Sequence, residues 1–258
     1  MRNYLITLAA GILFTLPATA QPKTLVALYK VQPGKMPEYV AALNKMVVPV
    51  LDRLVEDGTI QAYGIETGVL HSPGEPNLAA WFTAPDYARI QKADDAVLAA
   101  IASHPEEARI LLEEADMNAH RDMLLESSVE KLGKVPDGVK PFVALAYFRV
   151  KPGKDGDFDK FGEKFYSPVY EKLIKDGSVY SYQVLRQAFH SDDPDGAWVV
   201  VTVPDMAALD KLDAAFGAKM KALTPAERSM MDNSGRELSD ISAHRDYLMR
   251  CVAYRMHQ

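Results

Sequence analysis

Val31-Gln32-Pro33-Gly34-Lys35 returns, 119 positions later, as Val150-Lys151-Pro152-Gly153-Lys154, and Ala119-His120-Arg121-Asp122 returns as Ala243-His244-Arg245-Asp246. Laid without a gap over Leu145 to Asp205, the segment from Val26 to Asp86 shows seventeen identities in sixty-one positions. Chance would give about four, so the chain is a duplicated folding unit. The offset grows to 124 before the second motif, which places a five-residue insertion in the second copy.

Outward from the first motif, Thr24 to Gln32 is rich in β-branched and aromatic residues and stops at Pro33-Gly34, a strand ending in a turn. From Lys35 to Asp57 apolar residues recur at three- and four-residue steps (Tyr39, Leu43, Met46, Val50, Leu54), marking a helix with one buried face and a stop at Gly58. Pro49 and its copy Pro168 lie inside these helices and predict a kink. Second strands are expected over Thr59 to Leu70 and Ser178 to Phe189, and third strands over Leu78 to Thr83 and Ala197 to Val203. Helices follow from Asp86 to Ser103 and Asp205 to Leu223, then shorter ones from Pro105 and Pro225. Fourth strands close the units over Arg121 to Lys131 and Arg245 to Met256.

Each copy thus reads βαββαβ with one extra helix, the ferredoxin-like order, in an α+β chain. Residues 21–132 form the first unit, 133–141 a linker and 142–258 the second. Helices on one side leave each antiparallel sheet with a bare face, and two copies can cover it by joining as an internal pseudo-dimer. Further association is left open.

Arg2, the apolar run Tyr4 to Leu16 and Ala18-Thr19-Ala20 have the order of a cleaved secretory signal over residues 1–20, so the mature protein is expected to be exported, periplasmic or secreted. No segment reaches the roughly 20 apolar residues of a membrane-spanning helix, so no membrane association is expected once the signal is cleaved. Net charge is −6, or −7 once the leader and its single Arg are removed, and no basic block is present. Nucleic acid is therefore not an expected partner. Cys251 is the only cysteine, so stability must come from the apolar core, for which 48% hydrophobic residues suffice.

Val150-Lys151-Pro152-Gly153-Lys154, followed by Phe158, Phe161 and Phe165, resembles the opening of the NIPSNAP, stress-responsive and antibiotic-biosynthesis monooxygenase branches of the dimeric α/β-barrel superfamily. The resemblance implies two ferredoxin-like units whose sheets join around a central cavity. It leaves the activity open, because such relatives include cofactor-free oxygenases, haem proteins, isomerases and proteins without an assigned reaction.

Residues kept in both copies are the first candidates for chemistry. His120, Arg121 and Asp122, with His244, Arg245 and Asp246, are candidate catalytic groups: alternation puts His and Asp on one face and Arg on the other, where Arg could hold an anion. The competing reading is an ion pair anchoring the fourth strand. Tyr63 shares a strand face with Ile65, Thr67 and His71, and Tyr182 with Val184, Arg186 and His190. Tyr63, His71, Tyr182, Arg186 and His190 are therefore candidate ligand-binding residues, if that face turns inward; core packing of the tyrosines and a surface-turn role for the histidines compete with this. Trp81 and Trp198 stand at different repeat positions with the same parity, so each is expected to fill space the other copy leaves.

No H-x-x-x-H, H-E-x-x-H or Cys pair is present, so no metal site is expected. No cofactor is expected either, although haem, needing a single axial His, stays open. Serine-nucleophile, P-loop and Rossmann patterns are absent.

Three functions remain: binding of a small, partly apolar molecule in one or both barrel cavities; a cofactor-independent oxygenase or isomerase with a His base; and an assembly module using the extra helices. The enzyme reading needs His and Arg in one cavity. Placing the end of the second strand and the start of the fourth at opposite ends of the sheet makes that convergence depend on the pseudo-twofold axis.

Overall fold

The computed structural model describes residues 21–70, 74–189 and 193–257. Residues 1–20, where a signal is expected, lie outside them, as do His71 and His190. The first half runs β1 (Lys23–Tyr29), α1 (Met36–Met46), α2 (Val48–Glu56), β2 (Ala62–Gly68), β3 (Leu78–Ala84), α3 (Tyr87–Ala102), α4 (Pro105–Glu113) and β4 (Arg121–Leu132). The second repeats this order with β5 (Phe142–Val150), α5 (Asp155–Phe165), α6 (Ser167–Lys175), β6 (Ser181–Gln187), β7 (Gly196–Val203), α7 (Met206–Ala222), α8 (Pro225–Leu238) and β8 (Ser239–Met256).

Local chemistry explains the punctuation. Gln32 to Lys35 closes with a 3.1 Å bond from Lys35 N–H to Gln32 C=O, Pro33 fixing the first corner and Gly34, at φ +80°, the second. Gly153 repeats this at +76°. Pro49 and Pro168 do more than kink their helices. The first helix stops at Met46 and a new one starts at Val48, so Pro49 sits in an opening turn, where its missing N–H breaks no bond. Asp86 and Asp205 cap α3 and α7 by accepting from Arg89 and Ala208 backbone N–H groups at 2.8 and 3.0 Å.

All eight strands join in one closed antiparallel barrel, ordered β1-β3-β2-β8-β5-β7-β6-β4. Each half supplies four neighbouring strands, and the seams are β2 with β8 and β4 with β6. Closure leaves no unpaired sheet edge. The halves therefore share a single lumen, in place of the separate cavities the sequence left open.

Antiparallel pairing also corrects the expected geometry of strand ends. Tyr29 pairs with Leu78, Leu78 with Thr67, and Leu28 with Arg121. The end of β2 and the start of β4 therefore lie at the same end of the sheet.

The helices pack on the outside. Tyr39, Leu43, Met46, Leu51 and Leu54 from α1 and α2 bury against Tyr63, Ile65 and Phe82 of the sheet. Val169, Tyr170 and Leu173 of α6 do the same against Tyr182, Val184 and Val201. Each such side chain contributes about 1.5–3 kcal/mol of burial. These outer cores carry the stability and leave the inner face free to line a cavity.

Candidate functional site: the barrel lumen

The lumen has a volume of about 730 Å³. Alternation turns Val26, Leu28, Met123, Val143, Leu145 and Val200 inward, together with both tryptophans of the chain, Trp81 and Trp198. The two indoles project from different levels of β3 and β7, as their unequal repeat positions require. Trp81 stands opposite Gly64 on β2, where a Cβ would come within 2.7 Å of the indole, so only glycine leaves it room.

Glu66 is the main polar group inside. It is 2% exposed, and Trp81 Nε1 donates to its Oε1 at 2.6 Å, with the Cys251 thiol 3.9 Å from the same oxygen. Burial pushes its carboxyl up to about 7, while the Trp81 and Cys251 bonds act in the opposite direction. Burial, with the nearby Glu66 carboxyl, also raises the Cys251 thiol and favours its neutral form. A bulge sits beside this group: Ile65 pairs with Ala253 and Glu66 with Cys251, leaving Val252 unmatched. That extra residue resets the alternation, so Tyr254 lines the lumen and its ring meets Trp81 edge-on at 6.1 Å. The position equivalent to Glu66 in the second half is Leu185.

The two ends of the lumen differ. Arg121, Arg149 and Arg245 line the end where β1 and β5 finish, with Glu75, Asp193 and Tyr247. Asp193 accepts from Arg149 Nε at 2.6 Å and from the Tyr147 hydroxyl. Burial alone would raise its carboxyl, yet these bonds hold it below the usual carboxylate range. At the opposite end the lining is Gln61, Glu130, Gln183 and the hydroxyl pairs Thr24–Thr83 and Ser181–Thr202, at 2.8 and 2.9 Å.

Most candidates named from the sequence lie elsewhere. Tyr63 points to the helices and donates to Asp52 Oδ1 at 2.8 Å. Tyr182 stacks on Tyr170 of α6 with centroids 4.1 Å apart. Arg186 reaches Asp155 and Asp159 of α5, both at 2.7 Å. Strand parity had grouped these residues correctly, but the helix-covered face is theirs, because it is the more apolar one. His71 and His190 lie outside the described residues.

The repeated Ala-His-Arg-Asp motif divides as alternation requires. His120 Nδ1 meets Leu28 C=O at 3.1 Å, Nε2 meets Asp122 Oδ2 at 3.1 Å, and the ring stacks on Tyr29 at 4.6 Å. His244 repeats this with Tyr147 C=O, Asp246 and Phe148. Both imidazoles brace the fourth strand of a half to the end of its first. Arg121, Ala243 and Arg245 are the motif residues that line the lumen, so the motif brings no His beside its Arg there.

Glu66 was missed because it is not repeated. The available signal was a carboxylate at an alternating strand position whose copy is leucine.

No family model and no curated protein matches the chain. Solved structures do. A candidate monooxygenase from Fusobacterium nucleatum is 12% identical and superposes with a TM-score of 0.65 over 92% of this chain and 95% of its own. A candidate monooxygenase from Lactobacillus acidophilus, 13% identical, gives 0.61 over 92% and 97%. A haem-binding protein from Thermus thermophilus, 10% identical, gives 0.52 over 90% and 92%. These likenesses show the fold, a dimeric α/β barrel with both halves in one chain.

Haem binding belongs to that last neighbour. In this lumen the described wall supplies one imidazole, His257, exposed beyond the end of β8. Among the described residues no three His, Cys, Asp or Glu side chains come together as a metal-binding group, and no helix is long and apolar enough to cross a membrane.

Proposed function

We propose that this is an exported protein that binds a small, partly apolar molecule in its barrel lumen. The observation that carries the reading is the lumen of about 730 Å³, walled by aliphatic and aromatic side chains with polar groups toward its two ends. Small-molecule sites have this size, roughly 300–1,000 Å³, and this composition. Helices and outer cores hold the barrel together without filling it, so a ligand meets a preformed site.

Placing His120 and His244 outside the lumen weighs against a histidine-based oxygenase or isomerase, whereas Arg121, Arg245 and Glu66 line it. The ligand-binding reading needs no cofactor. Its test uses Trp81 and Trp198, which both face the lumen and make up the tryptophan content of the chain. Titration with a panel of small apolar molecules should shift their emission and raise the melting temperature together. A broad panel that moves neither signal would remove the reading.

A further inference from the structure

We propose that the ligand is an apolar amine, whose ammonium group docks on Glu66 beside the Trp81–Tyr254 pair. This rests on the lumen being a ligand site. Glu66 is a carboxylate 2% exposed, with Trp81, Tyr254 and Ala79 beside it, and the groups acting on it are the Trp81 N–H and the Cys251 thiol. Among the described residues no Lys or Arg pairs with it. A buried anion without a countercharge is destabilising, and an incoming cation supplies the missing partner while losing its own water to a matched charge.

The surroundings suit an ammonium ion. Trp81 and Tyr254 present two aromatic rings beside the carboxylate, with centroids 6.1 Å apart at 70°. Aromatic faces attract alkylammonium groups through their negative quadrupole. Trp81 N–H holds Oε1 at 2.6 Å, fixing the carboxylate for a second partner. Ala79 stands opposite Glu66 on β3 and occupies little of the space in front of it. The apolar body of the ligand then lies along Val26, Leu28, Val143 and Val200.

Charge also sets the direction of approach. The arginines of the wall, Arg121, Arg149 and Arg245, gather at one end with the acids Glu75 and Asp193, three positive charges against two. The opposite end is lined by Glu130, Gln61, Gln183 and hydroxyl groups, with no Lys or Arg among its described lining residues. An amine therefore reaches Glu66 from the Glu130 end.

The experiment compares octylamine, octanol and octanoate on the whole protein at pH 7.5, where the amine is protonated, by tryptophan emission and calorimetry. Octylamine is expected to bind at least tenfold more tightly than the other two. In Glu66→Gln that preference should vanish while octanol affinity stays unchanged, showing an intact lumen. Equal or better binding of octanol or octanoate by the unaltered protein overturns the amine assignment and leaves the ligand-binding reading standing. Failure of all three to bind overturns the assignment as well, and the broad panel then decides the wider reading. The comparison on the unaltered protein stands even if the variant does not fold.

Discussion

The indole N–H of Trp81 donates a 2.6 Å hydrogen bond to Oε1 of Glu66 inside the barrel. Because this bond favours the ionised carboxylate, its loss must raise the Glu66 pKa further above about 7. Trp81→Phe is expected to do so and to cost about 1–3 kcal/mol for the bond to a buried group. Carbon-detected NMR titration of the glutamate carboxyls checks the first effect, urea unfolding the second. An unchanged or lowered Glu66 titration would contradict the bond.

Glu66 also ties stability to pH. Its folded-state pKa of about 7 lies above the ordinary glutamate value, so between those limits the folded protein holds a proton that the unfolded chain has released. The contribution is fully present below the unfolded pKa and is lost as pH rises through 7. A shift of this size corresponds to about 3 kcal/mol. Unfolding free energies of Glu66→Gln and the unaltered protein should therefore diverge by about that amount between pH 4 and pH 8.5, the variant gaining. Parallel profiles would mean that the carboxyl is not held in a dry site.

Gly64→Ala tests the packing of the indole. A methyl group there would meet Trp81 ring atoms at 2.7 Å, and the indole must swing away from Glu66 to relieve it. Expected are a loss of about 1–3 kcal/mol and a red shift in tryptophan emission. Wild-type emission and stability would show that the strand approach is looser than described.

Arg186→Ala separates the helix-covered face from the lumen. Arg186 bonds Asp155 and Asp159 and lies over the Phe158 ring at 5.5 Å, so removing it should cost about 1–3 kcal/mol. Binding of any lumen ligand should not change. A binding defect in the folded variant would place Arg186 at the site after all.

Element order was legible in the sequence because the repeat supplied two readings of each element, and because proline, glycine and capping aspartates stand where the backbone needs them. Strand parity was legible too: Tyr63 with Ile65, and Trp81 with Trp198, do share faces. Which face turns inward was not, since Tyr63 and Tyr182 suit a helix-packed core as well as a cavity wall. Searching for residues kept in both halves led to His120 and His244, whose repeated role is to fasten strands. Glu66 depends on folding to be recognised, because its significance lies in the Trp81 and Cys251 partners that a bulge and two strand pairings bring to it.

Leucine stands at position 185 where the first half has Glu66. Two identical subunits forming such a barrel would carry every wall residue twice, and an acid at this place would appear on both sides of the one lumen. Joining the halves covalently removes that constraint: each can diverge alone, and the shared interior can carry a buried acid on one wall with leucine at the matching place on the other.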